Sequence, residues 1–200
     1  MEAITFSGGI MKDILVFLAN GFEEVEALTP VDYLRRAGIK VTTVATATQA
    51  RTVEGGHSIP VIADMTLETY LSACSELPDA VFVPGGSLGS ENISKCTQAL
   101  SLIDKMNAEG KLVAAICAAP AVVLSKTKAL DGKKWTCYPG MEAESNGHES
   151  THVKDVPFVT DGNLVTSRGA GCAEQFAMEL IRIMCGDEMS KKIHDATIQR

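Results

Sequence analysis

The sequence predicts an α/β fold, a doubly wound three-layer sandwich on a mainly parallel sheet. Three observations predict it. Short, continuous apolar runs recur along the chain, as strands buried on both faces do. Amphipathic stretches of helical length separate them, and glycines close several of those helices. The 200 residues are enough for one domain with a substantial core.

The first strand is Ile14 to Ala19, ended by Asn20-Gly21. A helix follows from Glu23 to Ala37, with Val25, Leu28, Val31 and Leu34 at helical spacing and Gly38 as its cap. Ile39 to Ala45 is a second strand, so the chain opens on a βαβ unit. Arg51 to Ala63 reads as a short β excursion turning at Gly55-Gly56. Ala80 to Val83 is a buried strand running into Pro84-Gly85-Gly86. A helix is expected over Ser94 to Glu109, then a strand over Lys111 to Ile116. Cys117 follows, with a helix that Pro120 can open. Trp135 to Tyr138 is a further strand candidate, and residues 140 to 152 are polar and irregular. Asp161-Gly162, between Phe158-Val159 and Asn163 to Thr166, signals a hairpin. Gly169 to Gly171 is a loop. Helices over Ala173 to Met184 and Asp187 to Ile198 close the chain.

Residues 1–12 are expected to be a disordered leader, with Met11 an equally good start, ahead of one domain over 13–200. The leader lacks the basic start and apolar run of a signal peptide. No apolar stretch nears the roughly 20 residues that span a bilayer. A net charge of −7 argues against nucleic acid and anionic membrane surfaces as partners. None of the six cysteines forms a C-x-x-C pair, and a chain this long needs no disulfide framework. Reduced thiols and a cytoplasmic location are the expectation.

In such sheets, ligands bind beyond the carboxyl ends of the strands. Three of those ends carry Glu23, Glu24 and Glu26; Gly85 and Gly86; and Cys117. A cysteine at a sharp strand-to-helix turn projects its sulfur, and following amides lower its pKa. The competing reading is an inert core thiol, since cysteine is often buried. Glu23 and Glu24 fit helix-dipole compensation. Glu26, facing Cys117, would hold a proton next to the sulfur, because two adjacent anions disfavour each other. Gly85 and Gly86 offer either a tight turn or amides for an oxyanion. His57, His148, His152 and His194 are candidate bases. His148 and His152 have the spacing of metal ligands on a helix, or of residues in a surface loop.

Several stretches together resemble the DJ/ThiJ/PfpI superfamily, in the branch that includes the Parkinson-disease-associated protein deglycase, a glutathione-independent glyoxalase. They are Ala19 to Glu26, Pro30-Val31-Asp32, Arg35 to Val41, Pro84-Gly85-Gly86 with Gly89, Ala114 to Pro120, and Thr166-Ser167-Arg168-Gly169 with Gly171. The resemblance implies a flavodoxin-like sandwich that dimerises, with Cys117 as nucleophile and Glu26 as its proton-sharing acid. Amides of Gly85, Gly86 and Ala118 would flank the sulfur, and Tyr138, Arg168 and Gly169 would border the pocket. It implies glyoxalase or deglycase activity on small aldehydes, dicarbonyls or early glycation adducts, without metal or organic cofactor. Chaperone and oxidative-stress roles are attributed to the family as well. A redox sensor oxidised at Cys117 without turnover is the alternative, and a scaffold acting only as a dimer is a third.

Three departures matter. Tyr138 stands where relatives often place a pocket histidine, and its phenol, with a pKa of about 10, is a poor base at neutral pH. His57 stands where some relatives place an arginine near the dimer interface. Ala118 stands where the protease-like branch places histidine, which argues against a Cys-His protease.

Overall fold

The structure is a computed structural model that describes residues 13–199. The leader expected over 1–12 lies outside the described residues. Strand β1 (Asp13–Leu18) leads into α1 (Glu24–Arg36) and β2 (Lys40–Ala45). A hairpin of β3 (Thr52–Glu54) and β4 (Pro60–Ile62) follows, then β5 (Met65–Thr66) and α2 (Leu67–Ala73). Next come β6 (Ala80–Val83), α3 (Ser87–Ser94), α4 (Thr97–Ala108), β7 (Leu112–Ile116) and α5 (Ala119–Val122). The chain closes with β8 (Phe158–Asp161), β9 (Leu164–Ser167), α6 (Ala173–Cys185) and α7 (Asp187–Ala196).

Seven strands form one sheet in the order β5-β2-β1-β6-β7-β9-β8. All pair in parallel except β8, which runs antiparallel to β9 at the edge. Period-2 alternation divides the side chains of β1 between two cores. Ile14, Val16 and Leu18 face one layer with Leu34, Phe176 and Leu180, under α1 and α6. Leu15 and Phe17 face the other, with Ile93, Ile103 and Trp135. Because both faces are covered, β1, β6 and β7 read as unbroken apolar runs. This is the doubly wound, flavodoxin-like three-layer sandwich that the sequence predicts.

The order reverses at β1, whose successor β2 lies on one side and β6 on the other. Crevices form at such a switch point. Backbone hydrogen bonds bind the loops there together. Glu23 N donates to Gly85 O at 3.1 Å, Gly89 N to Gly21 O at 3.1 Å, and Cys117 N to Ser167 O at 2.9 Å.

Four expectations are corrected. The helix expected over Ser94 to Glu109 is α4, starting at Thr97, and a separate helix, α3, for which no element is expected, precedes it. The run Ser-Leu-Gly-Ser-Glu-Asn-Ile-Ser that forms α3 has low helix propensity, so packing and not propensity fixes it. The element after Cys117 is a four-residue turn of helix followed by a 3-10 turn at Leu124–Lys126. Trp135 to Tyr138 is not a strand; it makes one isolated bridge, Trp135 with His152. Residues 64–79, for which no element is expected, hold β5 and α2.

Candidate active site

Glu26 enters the site from the first turn of α1. Glu23 caps that helix by accepting the Glu26 amide at 2.6 Å, which fixes the turn. Glu26 is then 1% exposed, and of this acidic cluster only Glu23 is partly exposed. Its carboxyl group faces the Cys117 sulfur and the amides of Gly85 and Ala170. Burial, helped by the charge of Glu23 and opposed by the sulfur and the amides, raises the Glu26 pKa to about 7. Oε2 of Glu26 is buried and has no hydrogen-bond partner of normal geometry among the described residues. A carboxyl oxygen so placed is better protonated and donating than anionic.

Cys117 sits at the end of β7 with φ at +63°, in the left-handed region that non-glycine residues avoid. This sharp turn is the elbow expected from the sequence. It lifts the sulfur off the strand axis towards Glu26. Gly85 is what allows the approach: a Cβ there would lie 2.6 Å from the Cys117 Cβ, and closer still to Glu26 Oε2. Gly86 has φ at +89°, and a Cβ there would lie 2.7 Å from Glu23 N. Both glycines are therefore demanded by close approach.

The thiol differs from expectation in one respect. Burial, then the charge of an ionised Glu26 and its hydrogen bond, push Cys117 up to about 12. The amides of Gly86 and Ala118 pull the other way. The helix dipole invoked from sequence is weak because α5 has only four residues. Beyond burial, the proton on Glu26 governs the thiol. Once that carboxyl is protonated, its charge is gone and its O–H can donate to a thiolate. The pair thus sheds its first proton near 7 and holds its second to about 12.

The amides divide differently from the expected pairing. Gly86 and Ala118 face the sulfur, whereas the Gly85 amide faces the Glu26 carboxyl. The site opens into a cleft of about 1150 Å³, lined among others by Glu23, His57, Leu88, Cys117 and Tyr138. Tyr138 is 53% exposed at its rim, and its amide donates to Cys117 O at 2.9 Å. Gly169 borders the carboxyl: a Cβ there would stand 3.5 Å from Tyr138 and 4.0 Å from Glu26 Oε1. Arg168, expected at the pocket, turns away. It lies 3.8 Å from Asp155 and lines a separate small cavity.

Glu24 corrects another expectation. It is buried, not a solvated dipole partner, and its two oxygens accept the His57 amide and meet the His57 ring, each at 2.7 Å. Burial alone would raise its pKa, but the His57 bonds outweigh that and hold it below the ordinary value. His57 is raised in return. The ring belongs to Glu24 and is not next to the thiol as a base. His148 and His152 do not pair: His148 lies 3.8 Å from Asp131, and His152 packs on Trp135. His194, in α7, contacts Asp195. Sequence reasoning missed Ala170, whose contribution is a backbone amide without a side-chain signature.

The chain matches the DJ-1/PfpI family over residues 12–183. It is 38% identical to the protein dj-1beta of Drosophila melanogaster over 182 residues, covering 91% of this chain and 94% of that protein. It is 32% identical to a protein named deglycase from Pyrococcus horikoshii over 171 residues, covering 86% and 98%. Among solved structures, Drosophila melanogaster DJ-1beta superposes with a TM-score of 0.87 at 35% identity, covering 94% and 98% of the chains. A Toxoplasma gondii DJ-1 described as oxidized gives 0.87 at 30%, covering 94% and 98%. Relatives and fold neighbours agree over the same span: this chain belongs to the DJ-1/PfpI family.

Proposed function

We propose that this protein is a cysteine-dependent, glutathione-independent glyoxalase or deglycase acting on small dicarbonyls or early glycation adducts. The observation that carries the reading is a buried carboxyl with its pKa raised to about 7, facing a thiol at a strained elbow. The deglycase name of the Pyrococcus horikoshii relative supports it. A raised carboxyl is tuned for proton transfer at neutral pH.

The chemistry follows from the geometry. Above about pH 7 the pair carries one proton, and its transfer from sulfur to the Glu26 carboxylate gives the reactive form, thiolate beside carboxylic acid. The thiolate adds to the aldehyde carbon of a dicarbonyl, forming a C–S bond. The new oxyanion takes hydrogen bonds from the Gly86 and Ala118 amides and a proton from Glu26. As the hydroxyl proton passes to the neighbouring oxygen, the Glu26 carboxylate removes the proton from the carbon bearing sulfur, giving an enediolate. Returned to the neighbouring carbon, that proton leaves a thioester of the hydroxy acid. Water cleaves the thioester, restores the thiol and releases the acid. The substrate gains one water overall, and oxidation of one carbon balances reduction of the next. No cofactor takes part in this scheme. With Tyr138 at the rim in place of histidine, the proton work falls on Glu26.

The test is lactate formation from methylglyoxal by the purified protein. Equal lactate from Cys117→Ala would sink the reading. The oxidized Toxoplasma gondii relative supports a second reading, redox sensing at Cys117 with a chaperone-like or oxidative-stress role. It requires mild peroxide to add oxygen selectively at Cys117 while dicarbonyl turnover is absent. Exposed Val25 on α1 and Ile59 on the adjoining hairpin support assembly as a homodimer. Light scattering at the mass of a single chain would rule that out.

A further inference from the structure

Away from the Cys117 sulfur, on the far side of the Cys137-Tyr138 peptide, three side chains of different ligand chemistry converge. Cys137 is buried, Glu142 and His152 are half-buried, and one ligand atom of each lies within 4.8 Å of the other two. The segments that carry them are held firmly. Trp135 bridges His152, the Val153 amide donates to Trp135 O at 2.8 Å, and the His152 ring packs on Trp135 with centroids 4.9 Å apart. The Gly140 amide donates to Glu142 Oε2 at 2.7 Å and orients the carboxylate. The Lys154 ammonium reaches the other oxygen only loosely, at 3.7 Å.

The simplest alternative is a lone thiol–imidazole hydrogen bond, since Cys137 Sγ stands 3.7 Å from His152 Nε2. That bond would leave Glu142 Oε1 facing the thiol and imidazole with only the Lys154 ammonium, at 3.7 Å, as its partner among the described residues. The observed separation fits coordination equally well. A tetrahedral zinc ion, with Zn–S of about 2.3 Å and Zn–N of about 2.0–2.1 Å, sets sulfur and nitrogen roughly 3.6 Å apart. Thiolate, imidazole and carboxylate together form a zinc-class donor set. A cavity of about 60 Å³ adjoins the three side chains, room for a water as fourth ligand and a way in.

We propose that Cys137, Glu142 and His152 bind one zinc-class divalent cation. Binding passes the Cys137 proton to solvent. The ion clasps the loop between Pro139 and His152 onto the segment that ends at Tyr138. The Tyr138 amide holds Cys117 O, so the ion also braces the rim of the cleft. This site is independent of the catalytic reading, because neither Cys117 nor Glu26 belongs to it.

Cobalt titration of the Cys117→Ser variant tests it, since that variant removes the half-buried thiol that faces the Glu26 carboxyl. One equivalent of Co²⁺ is expected, with thiolate-to-cobalt charge-transfer absorption and tetrahedral d–d bands, displaced by Zn²⁺. The cluster of Glu23, Glu24 and His57 has no thiol and cannot give that absorption. Trp135, the sole tryptophan, packs on the ligand ring, so its emission is quenched by cobalt and reports the fold when metal is absent. In the same background, His152→Gln and Glu142→Gln are each expected to bind at least about tenfold more weakly and to lose the quenching. Glu142→Gln changes a half-buried side chain and keeps the result readable if His152→Gln misfolds. Absence of charge-transfer absorption in Cys117→Ser overturns the proposal, as does undiminished binding in a folded Glu142→Gln variant.

Discussion

Cys117 and Glu26 each occupy a state that an isolated residue would avoid, one a left-handed backbone and the other a buried carboxyl. Their reactivity is a property of the pair. Below the first proton loss, both are protonated and the sulfur is a poor nucleophile. Once one proton has left, the other can pass from sulfur to the Glu26 carboxylate, so that thiolate stands beside carboxylic acid. With Glu26 raised to about 7, kcat/KM for methylglyoxal is expected to rise with pH through that value and then level off. Glu26→Gln keeps a hydrogen-bond donor but cannot carry the proton. It is expected to lose roughly 10²- to 10⁴-fold in kcat/KM together with the step near neutrality. A Glu26→Gln profile still rising near pH 7, measured by initial lactate rates, would place the titrating group elsewhere. The sequence could name this pair, because a cysteine after an apolar strand and an acid in a helix's first turn leave side-chain signatures. It could not show that the proton on Glu26 sets the thiol's pKa. That depends on burial, which appears only when α1, β6 and β7 meet.

At the scale of elements, the site is made by loops that touch through backbone, and glycines make the touching possible. The loop after β6 lies between the loop after β1 and Cys117, with Gly85 O accepting from Glu23 N at 3.1 Å. Gly85→Ala pushes a methyl group into Glu26 Oε2 and the Cys117 Cβ. The expected outcome is a loss of about 1–3 kcal/mol in urea unfolding and a fall in turnover, as overpacking forces the pair apart. Gly162→Ala is the control. Its added Cβ meets nothing within 4 Å, so the pair stays undisturbed and turnover stays near normal, whatever strain its φ of +58° adds. Equal turnover in the two variants would deny Gly85 its spacing role. The contrast also shows why some elements were legible in the sequence. Helices α1 and α6 carry apolar residues at helical period and declare themselves. Helix α3 does not: its Gly89 packs on the Phe22 backbone, and its small polar residues are chosen for that contact. Trp135 to Tyr138 has strand-like composition yet finds only one bridging partner, since β9 already lies beside β7 in the sheet.

Across the whole molecule, the two packed layers supply the stability against which the site is held in its unfavourable states. Phe82 and Phe176, both fully buried with ring centroids 5.2 Å apart, tie the sheet to α6. A domain of this kind has a net stability of about 5–15 kcal/mol, so one misplaced buried charge is a sizeable fraction of it. Glu26 is that charge. Its folded pKa of about 7 exceeds its ordinary 4.5, so the folded state holds the proton more tightly than the unfolded chain. The resulting stabilisation is fully present below 4.5 and is lost as pH rises through about 7. Its full extent is on the order of 3 kcal/mol. Cys117, raised to about 12 from 9, acts only in a more alkaline window. Glu24, held below its ordinary value, acts in a more acidic one and with opposite sign, its contribution lost as pH falls. The interval between about pH 5 and pH 8 excludes both, and the other shifted groups in it are His57, raised, and His152, lowered, whose contributions have opposite sign. Urea midpoints of the native protein are expected to fall across it. Those of Glu26→Gln, which keeps only the histidine contributions, are expected to fall less and to lie above the native values at the alkaline end. A native profile that falls no more between about pH 5 and pH 8 than that of Glu26→Gln would mean that Glu26 is ionised at little cost, and the proton-sharing pair would fall with it.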